Sequence, residues 1–97
     1  MEDRIQEIIK LDKDIVASTA THFRDLLKNK VENGVEDLIL DFSVIEMIDS
    51  VGLGVIIATH NSLNNSNGKL SVINVSSDIF NLFKTMRLDQ HFEVQQA

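Results

Sequence analysis

The sequence predicts an α/β domain built on a largely parallel four-stranded sheet. Two observations carry that prediction. Short β-branched runs alternate with longer amphipathic stretches, the order expected of strand–helix–strand crossovers. Asn- and Gly-rich stops, "ENG" at 32–34 and "NNSNGK" at 64–69, separate them. The bulk numbers fit one small domain over residues 1–97: the chain has 97 residues, 43% of them apolar and 25% charged.

The elements follow in order. The first strand falls in "RIQEIIKL", residues 4–11, on the β-branched content of Ile5, Ile8 and Ile9. Ser18 or Thr19 is placed to cap the first helix. Ala20, Phe23, Leu27 and Val31 then recur at spacings of three and four, which puts them on one face. His22, Arg24, Asp25, Lys28 and Lys30 occupy much of the rest. Gly34 suits the left-handed position that ends such a helix. "DLILDF", residues 37–42, is an apolar run between acids and reads as a central strand. "SVIE", 43–46, is a connection, and Met47-Ile48 continues extended.

A second helix starts at Asp49-Ser50 and runs to about Leu63. "LSVINV", Leu70 to Val75, alternates and is β-branched, so it is a strand. "SSD", Ser76 to Asp78, forms an N-cap cluster before a third helix whose apolar face is Ile79, Leu82, Phe83 and Met86. "HFEV", 91–94, reads as a short last strand.

Charge and composition exclude several functions. The net charge is −6 and no basic run exists, which argues against nucleic acid or anionic membrane as a partner. There is no cysteine, hence no disulfide, thiol nucleophile or thiolate metal site. The charged N-terminus lacks the apolar core of a signal peptide. The longest apolar run, Val55 to Ala58, is too short to insert in a bilayer. A cytoplasmic protein is expected.

No catalytic constellation emerges. Gly52-Leu53-Gly54 fails as a dinucleotide fingerprint, because Ile57 stands where the third glycine belongs. Ser50 has no nucleophile elbow, because Ile48 stands where a glycine is required. Asp41 and Glu46 read as strand-end and loop charges. His22, His60 and His91 are far apart and read as surface or edge residues rather than metal ligands. The chain is therefore expected to be no enzyme, with no metal and no cofactor.

The odd stretch is "EMIDSVGLGVII", 46–57, where an acid and a hydroxyl interrupt an apolar run. Ser50 reads as the cap of the second helix. The two glycines let the helix start lie close against the rest of the fold. A helix N-terminus also tolerates a phosphate, and phosphorylation of Ser50 would add about two negative charges beside Asp49.

These residues also carry a resemblance. "LILDFSVIEMIDSVGLGVII" resembles the signature of STAS-domain anti-sigma-factor antagonists: an apolar strand ending in Asp, a short loop, then Asp-Ser-(Ser/Thr)-Gly-Leu-Gly. "KDIVASTATHFRDLL" is similar to the family's Gly-Glu-Leu-Asp segment and first helix. "GKLSVINVSSDIFNLFKTMRLDQHFEV" is similar to its later strand, third helix and end. The resemblance implies the STAS fold, a mixed, largely parallel sheet with helices mainly on one face. It implies protein binding as the function. The unphosphorylated form captures an anti-sigma factor that is also a serine kinase, phosphorylation releases it, and a metal-dependent serine phosphatase resets the switch.

Carried onto this chain, the phosphoacceptor is Ser50. The partner-binding residues are Asp14, Asp49, Ser50, Val51, Gly52, Leu53 and Gly54, and Asp41 closes the central strand. Four positions depart from the pattern. Val51 replaces the usual second Ser or Thr, Lys13 and Val16 replace the Gly and Asp of the first-loop motif, and Arg87 stands where many members have Gly. The alternative reading is a non-switching STAS module of a larger signalling or lipid-transport complex. There, Val51 would be a permanent apolar contact.

Overall fold

The computed structural model describes residues 4–97. Its elements run β1 (Gln6–Lys10), α1 (Ala20–Glu32), β2 (Asp37–Asp41), α2 (Ser50–Asn65), β3 (Lys69–Val75), α3 (Ser77–Thr85), a 3-10 turn (Leu88–Gln90) and β4 (Glu93–Gln96). The strands form one sheet in the order β1-β2-β3-β4, and every described pairing is parallel. Consecutive parallel neighbours need a crossover, and each crossover contains one of the helices. The expected fold class is therefore met, with no antiparallel pair among the described residues.

The register decides which side is covered. Ile9 pairs with Leu40, and Leu38 and Leu40 pair with Leu70 and Val72. Leu38, Leu40, Leu70 and Val72 are buried. Against that face lie Phe23 and Leu27 of α1, Ile56 and Leu63 of α2, and Ile79 and Phe83 of α3, all in one cluster. The opposite face carries Ile8, Ile39 and Ser71 in one row, and Ile8 is 61% exposed. The helices thus pack on one face of the sheet, and among the described residues no helix covers the other. An uncovered face is unusual for a parallel sheet.

Two terminations follow from local chemistry. Gly34 has φ +92° just after α1, a conformation glycine adopts without penalty. Ser76 caps α3, its hydroxyl accepting from the Ile79 amide at 3.3 Å. The last strand begins two residues later than the sequence suggests. The 3-10 turn consumes the preceding stretch, and Phe92 is buried with its ring edge-on to Phe83.

Candidate functional site

The site is built where two loops meet. The β1–α1 loop and the β2–α2 loop are joined by an isolated parallel bridge, Ile15 to Ile48. The Ile15 amide donates to the Met47 carbonyl at 3.2 Å, and the Asp49 amide donates to the Ile15 carbonyl at 3.3 Å. This confirms extended structure at Met47-Ile48.

Two carboxylates cross between the loops and reinforce the bridge. Asp14 Oδ1 accepts from the Glu46 and Met47 amides at 2.9 and 3.2 Å. In return, Asp49 Oδ2 accepts from the Ala17 amide at 2.9 Å, while its Oδ1 accepts from the Gly52 amide at 2.9 Å. The Asp49 carboxylate therefore does two jobs. The amides of Gly52 and Ala17 hold its pKa below the ordinary carboxylate value.

This geometry corrects two capping expectations. Asp49, not Ser50, caps α2: it is extended at φ −104°, and its carboxylate reaches back to the first helical turn. A charged acceptor at the positive end of a helix is favoured over a neutral hydroxyl. Ser50 is the first residue of α2 and is exposed. At α1, Thr19 occupies the cap position but makes no side-chain bond to the helix. Its hydroxyl instead donates to the Asp14 carbonyl at 2.7 Å and accepts from the Val16 amide at 3.0 Å, folding the loop on itself.

The two glycines have different reasons. A Cβ at Gly52 would overlap the Ile15 carbonyl oxygen and stand 2.8 Å from its carbon, so only glycine lets α2 start against the β1–α1 loop. Gly54 is exposed, and a Cβ there would meet nothing within 4 Å. Leu53, expected at the partner surface, is only 6% exposed and belongs to the core. Val51 is 48% exposed, beside Ser50.

Two residues escape the sequence reading. Val44 and Met47 are 45% and 59% exposed, while their neighbours Ile45 and Ile48 are buried. Each apolar pair in "VIEMI" puts one side chain in and one out, and the pairing is the signal that could have found them. Below this loop, Asp41 accepts from the Ser43 amide at 2.9 Å and from Asn74 Nδ2 at 3.1 Å. Burial would raise the Asp41 carboxyl, but these hydrogen bonds outweigh it and lower the pKa.

An open cleft of about 310 Å³ lies along the α1–α2 seam, lined by Ala17, Arg24, Val51, Gly54 and Ala58 among others. The histidines are not as separate as their spacing suggests. His22 stays on α1 beside Phe23, but the rings of His60 and His91 come within 6.1 Å.

Comparison with known proteins gives these features a context. A family model described as the STAS domain matches residues 2–97. An anti-sigma-B factor antagonist of Staphylococcus aureus is 24% identical over 96 residues, covering 99% of this chain and 88% of that protein. The Bacillus cell fate determinant SpoIIAA, solved in its phosphorylated form, superposes with a TM-score of 0.74 at 19% identity, covering 97% of this chain and 86% of the other. A sulfate transporter family protein from Wolinella succinogenes superposes with a TM-score of 0.79 at 16% identity, covering 93% of this chain and 75% of the other. At these identities the solved structures establish a shared fold. Because the family match spans nearly the whole sequence, the chain belongs to the STAS domain family.

Proposed function

We propose that the chain is an anti-sigma factor antagonist whose capture of an anti-sigma factor kinase is switched off by phosphorylation of Ser50. The observation that supports it best is the division of labour at the start of α2. Asp49 satisfies the helix end, so the exposed Ser50 hydroxyl has no structural task. Similarity to the S. aureus antagonist and the fold shared with phosphorylated SpoIIAA favour the same reading.

In physical terms, the exposed apolar side chains of Val44 and Met47 in the β2–α2 loop and of Val51 next to Ser50 form the rim that a partner buries. Asp14 and Asp49 hold the rim by pinning the two loops together. Gly54 leaves room for close approach, and Gly52 and Leu53 support the helix start from beneath. The kinase supplies ATP, the γ-phosphoryl passes to Ser50 Oγ, and ADP leaves. The dianion would then have to be desolvated in the interface, next to the Asp49 carboxylate. A loss of about 3–5 kcal/mol weakens binding by roughly a hundred- to several-thousand-fold, enough for a switch. A metal-dependent serine phosphatase hydrolyses the ester and restores capture. The protein acts as a binding module, not an enzyme, and works in the cytoplasm where transcription is controlled. Among the described residues, no helix is long and apolar enough to cross a membrane.

Incubation with the anti-sigma factor kinase and ATP should add one phosphate by mass, and Ser50→Ala should abolish it. Phosphate on another residue would sink the assignment. Met47→Glu should reduce capture at least tenfold without lowering the melting temperature. A second reading, a permanent STAS module of a larger assembly, draws on the exposed apolar Val51 and the fold shared with the transporter family protein. Co-purification of a transport ATPase, with capture unaffected by Ser50→Asp, would decide for it.

A further inference from the structure

We propose that His60 and His91 form a binding site for a borderline divalent transition-metal ion, of the zinc, nickel or copper(II) class. The site lies between the second half of α2 and the segment leading into β4. The two imidazoles stand 6.1 Å apart between ring centres, with their planes 52° apart. Two imidazoles bound at about 2.0–2.1 Å to one tetrahedral ion would have centres roughly 5 Å apart. Closing the difference takes about an ångström, within reach of small side-chain rotations.

The surroundings favour this. The His60 ring is backed by Phe92, which is buried, with centres 5.4 Å apart. Both histidines line an open cleft of about 330 Å³, together with Asn64, Lys69, Ser71 and Glu93. The one side-chain hydrogen bond among the described residues of this cleft joins Gln95 to Glu93 at 2.8 Å. Among the described residues no side-chain hydrogen bond commits either imidazole, and imidazole nitrogen is the ligand type that suits this class of metal. The cationic Lys69 is answered by Glu93 in the cleft and by Asp37, with which it pairs in the sheet. A net charge of −6 adds a field that draws cations in.

Among the described residues, no third His, Cys, Asp or Glu converges on the pair. The chain thus supplies two ligands, and water fills the remaining positions. Such an ion would tie α2 to the segment between the 3-10 turn and β4, at one edge of the sheet. The three histidines are 31 or more residues apart in sequence, so spacing alone hides the pair.

The test is a titration of the intact protein with Zn²⁺ by calorimetry, alongside thermal melting. The wild type should bind one ion saturably and melt at a higher temperature, because binding to the folded form stabilises it. Loss of outer-shell partners alone costs about 10- to 100-fold in metal affinity, so His60→Gln and His91→Gln should each weaken binding at least tenfold. His22→Gln should bind as the wild type does, and Mg²⁺ should have no effect. Imidazole resonances of both His60 and His91 should shift in the one-to-one complex, a readout that holds even where a variant folds poorly. No saturable binding, wild-type affinity in either single variant, or loss on His22→Gln would overturn the proposal.

Discussion

At Gly52 and Gly54 the same residue type does opposite things. The first faces a backbone carbonyl and the second faces open space. Gly52→Ala should therefore force α2 away from Ile15 and destabilise the fold by about 3 kcal/mol, as overpacking does. Gly54→Ala should stabilise it by about 0.5–1 kcal/mol, because alanine is the better helix former and nothing obstructs its methyl. Urea titration of both variants checks the pair, and opposite shifts of the midpoint are the expected outcome. The glycine pair is plain in the sequence, and so is the closeness it allows. Which glycine serves packing is not, because that depends on where the β1–α1 loop passes. Leu53 is a similar case: in a helix start that is apolar on several sides, the sequence alone does not say which apolar residue faces inward.

The elements themselves were largely legible, because their ends carry chemistry. Gly34 and the Asn-Gly stop fix the ends of α1 and α2, and Ser76 fixes the start of α3. The start of α2 was harder, since Asp49 and Ser50 are both good caps and differ only in which one is extended. β4 was displaced because the 3-10 turn has no strong sequence mark. Just before that turn, Arg87 is held at φ +59°, in the left-handed region. This gives a physical reason for glycine at that position in the motif. A left-handed residue with a side chain costs about 1–2 kcal/mol, part of which glycine loses again through unfolded-state entropy. Arg87→Gly should thus stabilise the chain by about 0.5–1 kcal/mol, read as a higher melting temperature. A lower one would show that the Arg87 side chain contributes more than its backbone costs.

At the scale of the whole molecule, three carboxylates among the described residues link stability to pH. Asp37, hydrogen-bonded and paired with Arg4 at 2.8 Å, has a lowered pKa, as do Asp41 and Asp49. Each binds a proton less readily folded than unfolded. Their contribution is present above the ordinary carboxylate range and is lost as pH falls through that range to the lowered folded values. Urea midpoints measured from pH 7 to pH 3 should be level at first and then fall below about pH 4. Asp37→Asn should make the fall shallower, and an unchanged slope would contradict the role given to the Arg4 pair. The parallel crossovers followed from the alternation of elements, and the single covered face from the resemblance; the order of the strands within the sheet did not. The crossing of Asp14 and Asp49, and the meeting of His60 with His91, did not. Both depend on contacts between residues 31 to 33 positions apart, which only the folded chain brings together.

One consequence of the cap at Asp49 reaches beyond this molecule. Because the fold asks nothing of the hydroxyl at position 50, that letter is free to change. Exposed positions without a structural partner usually tolerate replacement within about 0.5 kcal/mol. Under the function proposed above, a lineage built on this scaffold installs or retires a phosphorylation switch with one substitution and crosses no valley of unfolded intermediates. A regulated antagonist and a permanent adaptor then become neighbours in sequence space, separated by a residue that the architecture itself does not read.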